Sequence, residues 1–74
     1  MPKRIERYQA GWNPNSNLGE IRLFLEDGSK TRLSFGSQNI DEQIVILQIL
    51  QNADAPYLTP NGWISTEADE PGDA

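Results

Sequence analysis

The chain has 74 residues, a formal net charge of −5, no cysteine and no histidine. The absence of these two residue types excludes disulfides, cysteine-ligated metal sites and histidine-dependent catalytic triads within it. A single domain of this size buries only about 60% of the surface of its unfolded chain. Its core must therefore be thin, and domains of this kind gain stability from efficient packing or from association with other chains.

The charges are distributed unevenly along the chain. All six basic residues lie within residues 1–32, together with four acids, whereas residues 33–74 carry seven acids and no base. The two parts have net charges of +2 and −7, which sum to −5. This acidic excess opposes a general attraction to nucleic acid. No apolar run reaches the roughly 18 residues of a membrane span, and no hydrophobic segment follows the basic start, so we expect a cytoplasmic protein without membrane contact.

The N-terminal half predicts three antiparallel strands that follow one another as a meander. Residues 4–12 form the first predicted strand, and residues 13–19 form a loop that is dense in turn formers. Apolar and polar side chains alternate in residues 20–26 and again in residues 30–35, which is the period of a half-buried strand. The Asp-Gly pair between these two segments is a strong hairpin signal.

Side-chain parity predicts the register of this hairpin, because residues directly opposite one another share a face of the sheet. A two-residue turn would place Leu25 opposite Lys30 and so mix core with solvent. A three-residue loop that ends with Gly28 in the left-handed conformation instead places Leu23 opposite Thr31. We therefore predict the three-residue loop.

The segment Ile44–Leu50 contains six aliphatic residues around one glutamine. The run Ile-Val-Ile favours a buried strand, but the surrounding residues favour a helix. Asn39 with Glu42 three positions later resembles a capping box, and Pro56 follows the apolar run. We predict a helix over residues 39–53.

The C-terminal part predicts a short hairpin followed by a tail. Residues 57–66 have a strand–turn–strand pattern around Pro60-Asn61-Gly62, although an ordered loop is the alternative. Residues 67–74 are acidic, lack large apolar side chains and are predicted to be disordered. The predicted class is α+β: one domain over residues 1–66, with about three antiparallel strands packed on one helix, the hairpin and the tail.

The predicted helix is apolar on two sides, which suggests a partner. At 100° per residue only a narrow polar stripe separates its apolar groups, and a small sheet covers only one side. Apolar surface left exposed on the other side would mark an interface, most simply that of a homodimer. The alternatives are an unknown protein partner, or a monomer whose own hairpin covers the helix. The predicted interface residues are Val45, Ile46, Ile49, Leu50 and Trp63.

The sequence predicts a non-catalytic protein-interaction module rather than an enzyme. The acidic pairs Glu26-Asp27 and Asp41-Glu42 stand where a turn and a helix start place carboxylates in any case. The chain contains no nucleotide-binding loop, dinucleotide fingerprint or calcium-binding loop. We therefore predict no catalytic residue, no cofactor and no metal.

The outward face of the predicted sheet suggests an alternative function. It combines four basic side chains with one aromatic ring, the arrangement by which some proteins hold single-stranded nucleic acid. The simpler interpretation is that these side chains form the solvated face of an antiparallel sheet. The candidate nucleic-acid residues are Arg7, Arg22, Phe24, Lys30 and Arg32.

Overall fold

The structure is a computed structural model, which describes residues 2–68. Five antiparallel strands form one sheet in the order β3-β2-β1-β4-β5. The strands are listed here in chain order: β1 (Lys3–Asn13), β2 (Leu18–Leu25), β3 (Lys30–Gly36), β4 (Tyr57–Leu58) and β5 (Ile64–Ser65). One helix, α1 (Ile40–Asn52), follows a 3₁₀ turn at Ser37–Asn39. The predicted α+β class is confirmed.

The number of strands in the sheet differs from the prediction of about three. The C-terminal hairpin joins the same sheet because β4 pairs with the start of β1, where Lys3 lies opposite Leu58 and Arg4 opposite Tyr57. The backbone N–H of Ile5 also donates to the carbonyl of Pro56 over 2.8 Å. The hairpin is thus part of a five-stranded sheet rather than an addition to a three-stranded one.

The β2–β3 hairpin has the register that parity predicts. Leu23 lies opposite Thr31, and the N–H of Leu25 donates to the carbonyl of Ser29 over 2.9 Å. Gly28 ends the three-residue loop with φ +87°, in the left-handed region that glycine adopts without steric cost. Gly62 has the same role in the β4–β5 turn, at φ +89°.

The core lies between one face of the sheet and α1. Six apolar residues are buried, and five of them come from the sheet and one from the helix. They are Ile5, Ile21, Leu23, Leu25, Phe35 and Leu50. The three from β2 alternate with residues of the opposite face, as the sequence pattern of this strand predicts. The core is thin, as expected for a chain of this length.

The helix spans nearly the predicted range but begins differently. No side chain bonds the first free N–H groups of α1, and Asn39 Nδ2 instead donates to Glu42 Oε2 over 3.3 Å. The capping-box prediction is therefore wrong in its bonding, although both residues stand at the helix start. Within the described residues, no helix is long and apolar enough to cross a membrane. The predicted tail lies outside those residues from position 69 onward.

Candidate interaction surfaces

Three apolar residues of α1 remain exposed, and we call them the helix surface: Ile40, Ile44 and Val45. Their exposed fractions are 40%, 48% and 54%. By helical geometry Ile40 and Ile44 lie on one flank and Val45 lies on the other. The residues between the flanks are polar and exposed: Asp41, Gln48 and Asn52. The prediction that a single sheet leaves apolar helix residues uncovered thus agrees with their exposure.

The five predicted interface residues fall into three environments. Val45 and Trp63 are exposed, at 54% and 46%, while Ile46 and Ile49 are half-buried. Leu50 is only 5% exposed and belongs to the core of the subunit itself. The structure therefore leaves Leu50 unavailable to a partner, since it packs with the sheet.

The C-terminal hairpin covers part of the second apolar side of the helix. Leu58 and Ile64 pack against the core, as does Ile46 of α1. Ile46 and Ile64 also line a shallow cavity together with Trp63. The hairpin therefore shields Ile46 but leaves Val45 exposed, so the covering that we considered for a monomer is incomplete.

A groove of about 500 Å³ is lined by residues of strand β3, the helix and the C-terminal hairpin. We call it the β3 groove. Most of its lining is apolar, with Asp41 and Glu42 on the helix side. The apolar side chains that line it are Leu33, Phe35, Val45, Ile46 and Ile64. It is therefore an apolar channel with an acidic rim, next to β3, one of the two edge strands of the sheet.

Gln43 is buried where the first turn of the helix meets strands β1 and β2, a position that no sequence pattern predicted. It is only 6% exposed, and its Nε2 donates to the carbonyl of Gly11 over 3.4 Å. Its Oε1 has no hydrogen-bond partner among the described residues. Gly19 of β2 faces this side chain so closely that a β-carbon there would lie 2.3 Å from Oε1. A glycine opposite a glutamine is thus what allows the helix to approach the sheet here.

The outward face of the sheet brings together the candidate nucleic-acid residues, and we call it the basic face. Arg22 lies opposite Arg32, and Phe24 lies opposite Lys30. Arg7 lies opposite Phe24 on the other side and places its guanidinium carbon 3.7 Å from the centroid of the ring. One face of the ring is therefore occupied by a cation, in a cation–π contact.

Glu20 reduces the charge of the basic face. Its Oε1 accepts from Arg22 Nε over 2.7 Å, and its Oε2 is 4.0 Å from Arg32 Nε. The paired arginines of the hairpin thus share one carboxylate, which explains how the register tolerates two like charges opposite each other. Lys30 has no ion pair among the described residues. Arg32 and Lys30 are thus the more available cations.

The β2–β3 turn carries the strongest electrostatic perturbation among the described residues. Lys3 Nζ lies 2.7 Å from Asp27 Oδ2, and the Ser29 N–H donates to Asp27 Oδ1 over 2.9 Å. These contacts, with Lys3 contributing most, hold the pKa of Asp27 well below its usual range. The carboxylate is solvent-exposed, and its contacts connect the turn to the start of β1.

The helix surface, the β3 groove and the basic face are thus the candidate sites on a small α+β protein, whose described residues form one five-stranded antiparallel sheet and one helix. Within the described range, no group of three or more acidic residues is placed to hold a metal ion. Comparison with known proteins adds no relative: no family model, no curated protein and no solved structure matches the chain.

Proposed function

We propose that the protein is a non-catalytic interaction module that self-associates through the helix surface. The observation that supports this proposal is the exposure of Ile40, Ile44 and Val45 on one 13-residue helix. Isolated apolar residues are common on protein surfaces, but several on one helix favour an interface. A second copy is the simplest partner, because a two-fold contact buries the same surface on both chains.

Packing of two α1 helices would bury both apolar flanks together with the polar stripe between them. The stripe consists of Asp41, Gln48 and Asn52, whose side chains can hydrogen-bond across an antiparallel helix pair. Polar groups at the centre of such an interface specify the register of the helices at some cost in stability. A dimer of moderate affinity is therefore expected, rather than an obligate one.

The test of self-association is the solution mass of the chain, measured by light scattering over micromolar concentrations. The expected mass of the wild-type protein is twice the 8.3 kDa of one chain. Ile44→Glu should shift it to the monomer, because Ile44 is 48% exposed and its replacement leaves the core intact. Gln9→Glu, which adds the same charge at an exposed position of β1, should leave the dimer mass unchanged. A monomeric wild-type protein would refute the proposal.

A second candidate function is the binding of single-stranded nucleic acid by the basic face. The observation that favours it is the stack of Arg7 on Phe24, since a guanidinium plane as well as an aromatic ring can support a base. Binding of a labelled oligonucleotide should weaken steeply with salt and be lost in a Lys30→Glu, Arg32→Glu double variant. Ile44→Glu should not affect it. An absence of binding at low salt would eliminate this candidate.

A further inference from the structure

Strand β3 is an edge of the sheet, since β2 is its only neighbour in the strand order of the described chain. In an antiparallel ladder, hydrogen-bonded pairs alternate with pairs whose backbone groups point away from each other. Leu25 and Ser29 form a hydrogen-bonded pair, and the register then continues without a break to Gly36. It follows that Arg32 and Ser34 direct their N–H and C=O groups away from β2, toward open space.

The β3 groove runs along this free edge. Leu33, Ser34 and Phe35 are consecutive, and their side chains alternate between the two faces, yet all three line the groove. A channel that follows the backbone in this way has the form needed by an added strand. Side chains of that strand on the core side would meet apolar surface from β3, α1 and β5.

The two sides of the edge carry opposite charges. Lys30 and Arg32 stand on the basic face, whereas Asp41 and Glu42 line the helix side of the groove. A strand placed along β3 would therefore present alternate residues to cations on one side and to an acid-rimmed apolar channel on the other. Charge complementarity favours acidic residues at the positions that face the cations. It disfavours acidic residues at the positions that face the groove.

We propose that the edge of β3 binds an extended segment of another protein in which acidic residues alternate with aliphatic ones. The segment adds a sixth strand to the sheet, and its main chain bonds the outward-facing groups of Arg32 and Ser34. Its aliphatic side chains enter the β3 groove, and its acidic side chains face Lys30 and Arg32. This site goes beyond the proposed self-association: the two surfaces share Val45, whereas Ile40 and Ile44 belong to the helix surface alone.

A second copy of the chain is a poorer occupant of this edge. Antiparallel pairing of two β3 strands places Lys30 and Arg32 of both copies on the same face of the joined sheet. Such clusters of like charge on edge strands oppose edge-to-edge association. The same cations attract an acidic strand, so the edge discriminates between the two occupants.

The experiment measures binding of a short fluorescent peptide, in which glutamate alternates with valine, by the full chain. Ser34→Pro is the main variant, because proline removes the outward N–H and is tolerated on edge strands. We expect it to weaken binding at least tenfold, whereas Ser34→Ala, which keeps the N–H, should bind like the wild type. Arg32→Glu should also weaken binding, and it decides the question if the proline variant does not fold.

Several outcomes would overturn the proposal. The control peptide has the same composition, but its glutamates are grouped at one end. If it binds as tightly as the alternating peptide, the site does not recognise the alternation. Failure of the alternating peptide to bind the wild type would eliminate the site. A fall from dimer to monomer mass in Ser34→Pro would show that a second copy occupies the edge. Because Ile44 does not line the β3 groove, Ile44→Glu tests the helix surface separately, and either proposal can fail without the other.

Discussion

The close approach of Gly19 to Gln43 makes a sharp prediction about stability. In Gly19→Ala the new β-carbon would lie 2.3 Å from Gln43 Oε1 and 2.8 Å from Trp12 Cε3. Both distances are shorter than ordinary van der Waals contact, so the neighbours must move. Trp12 is partly exposed and can yield, but Gln43 is buried between the helix and the sheet. The substitution therefore forces the Gln43 side chain to move within the contact between α1 and β2.

The size of the effect follows from the cost of overpacking. Extra methyl groups forced into a well-packed site destabilise a protein by about 1–3 kcal/mol. Taking about 2 kcal/mol, the melting temperature of a domain of this length should fall by roughly 8–16 °C. The backbone itself contributes little to this cost, because Gly19 lies in a regular strand and has no left-handed conformation to lose.

The assay is thermal and urea unfolding of a set of variants. Gly11→Ala is the matched control, since Gly11 lies in the neighbouring strand opposite Glu20 and an added β-carbon there meets no atom within 4 Å. It should be as stable as the wild type or slightly more so. Gln43→Ala should restore most of the stability of Gly19→Ala, with a coupling free energy of at least about 1 kcal/mol. Equal melting temperatures for the two glycine variants, or a coupling near zero, would refute the reasoning.

Two further predictions concern the β2–β3 turn. Gly28→Ala should lower the free energy of unfolding by about 1 kcal/mol, because φ is +87° there although no neighbouring atom obstructs a β-carbon; an unchanged urea midpoint would contradict this. Asp27 has a lowered pKa through Lys3 and Ser29, so its contribution to stability is complete above the ordinary value of 3.8 and is lost as the pH falls toward the lowered pKa. The difference in urea midpoint between wild type and Asp27→Asn should accordingly shrink between pH 7 and pH 2.5; a difference that stays constant would show that the carboxylate charge plays no part.

The parts of the fold that depend on neighbours in the chain could be predicted from the sequence. Alternation in β2 identifies its buried face, and parity with Gly28 determines the β2–β3 register. The pairing of β4 with β1 could not be predicted, because it joins Arg4 to Tyr57 across most of the chain. Nothing local to either segment specifies such a partner, and β4 is only two residues long.

The candidate surfaces were predictable to a similar extent. The basic face follows from strand alternation, so its five residues could be placed together from the sequence. The orientation of α1 could not, because apolar residues lie on both sides of the helix and either side could have faced the sheet. The face of α1 that packs on the sheet is instead the one that carries Leu50 and Gln43, the two buried residues of the helix. Gln43 is polar, so apolar periodicity does not predict its burial. Its only signal in the sequence is Gly19, which has no side chain and so leaves space for that of Gln43.

The order of the strands explains how an acidic chain can offer an edge with basic and acidic sides. The first three strands contain all the cations of the basic face, which therefore collect on the side of the sheet away from α1. The helix begins only four residues after β3 ends, and this short connection brings Asp41 and Glu42 back to the β3 groove. The two charge populations of the sequence thus meet along β3, on opposite sides of its free backbone. The net charge of the chain describes neither the basic nor the acidic side of this edge. A partner strand would be selected because its side chains alternate between the two sides.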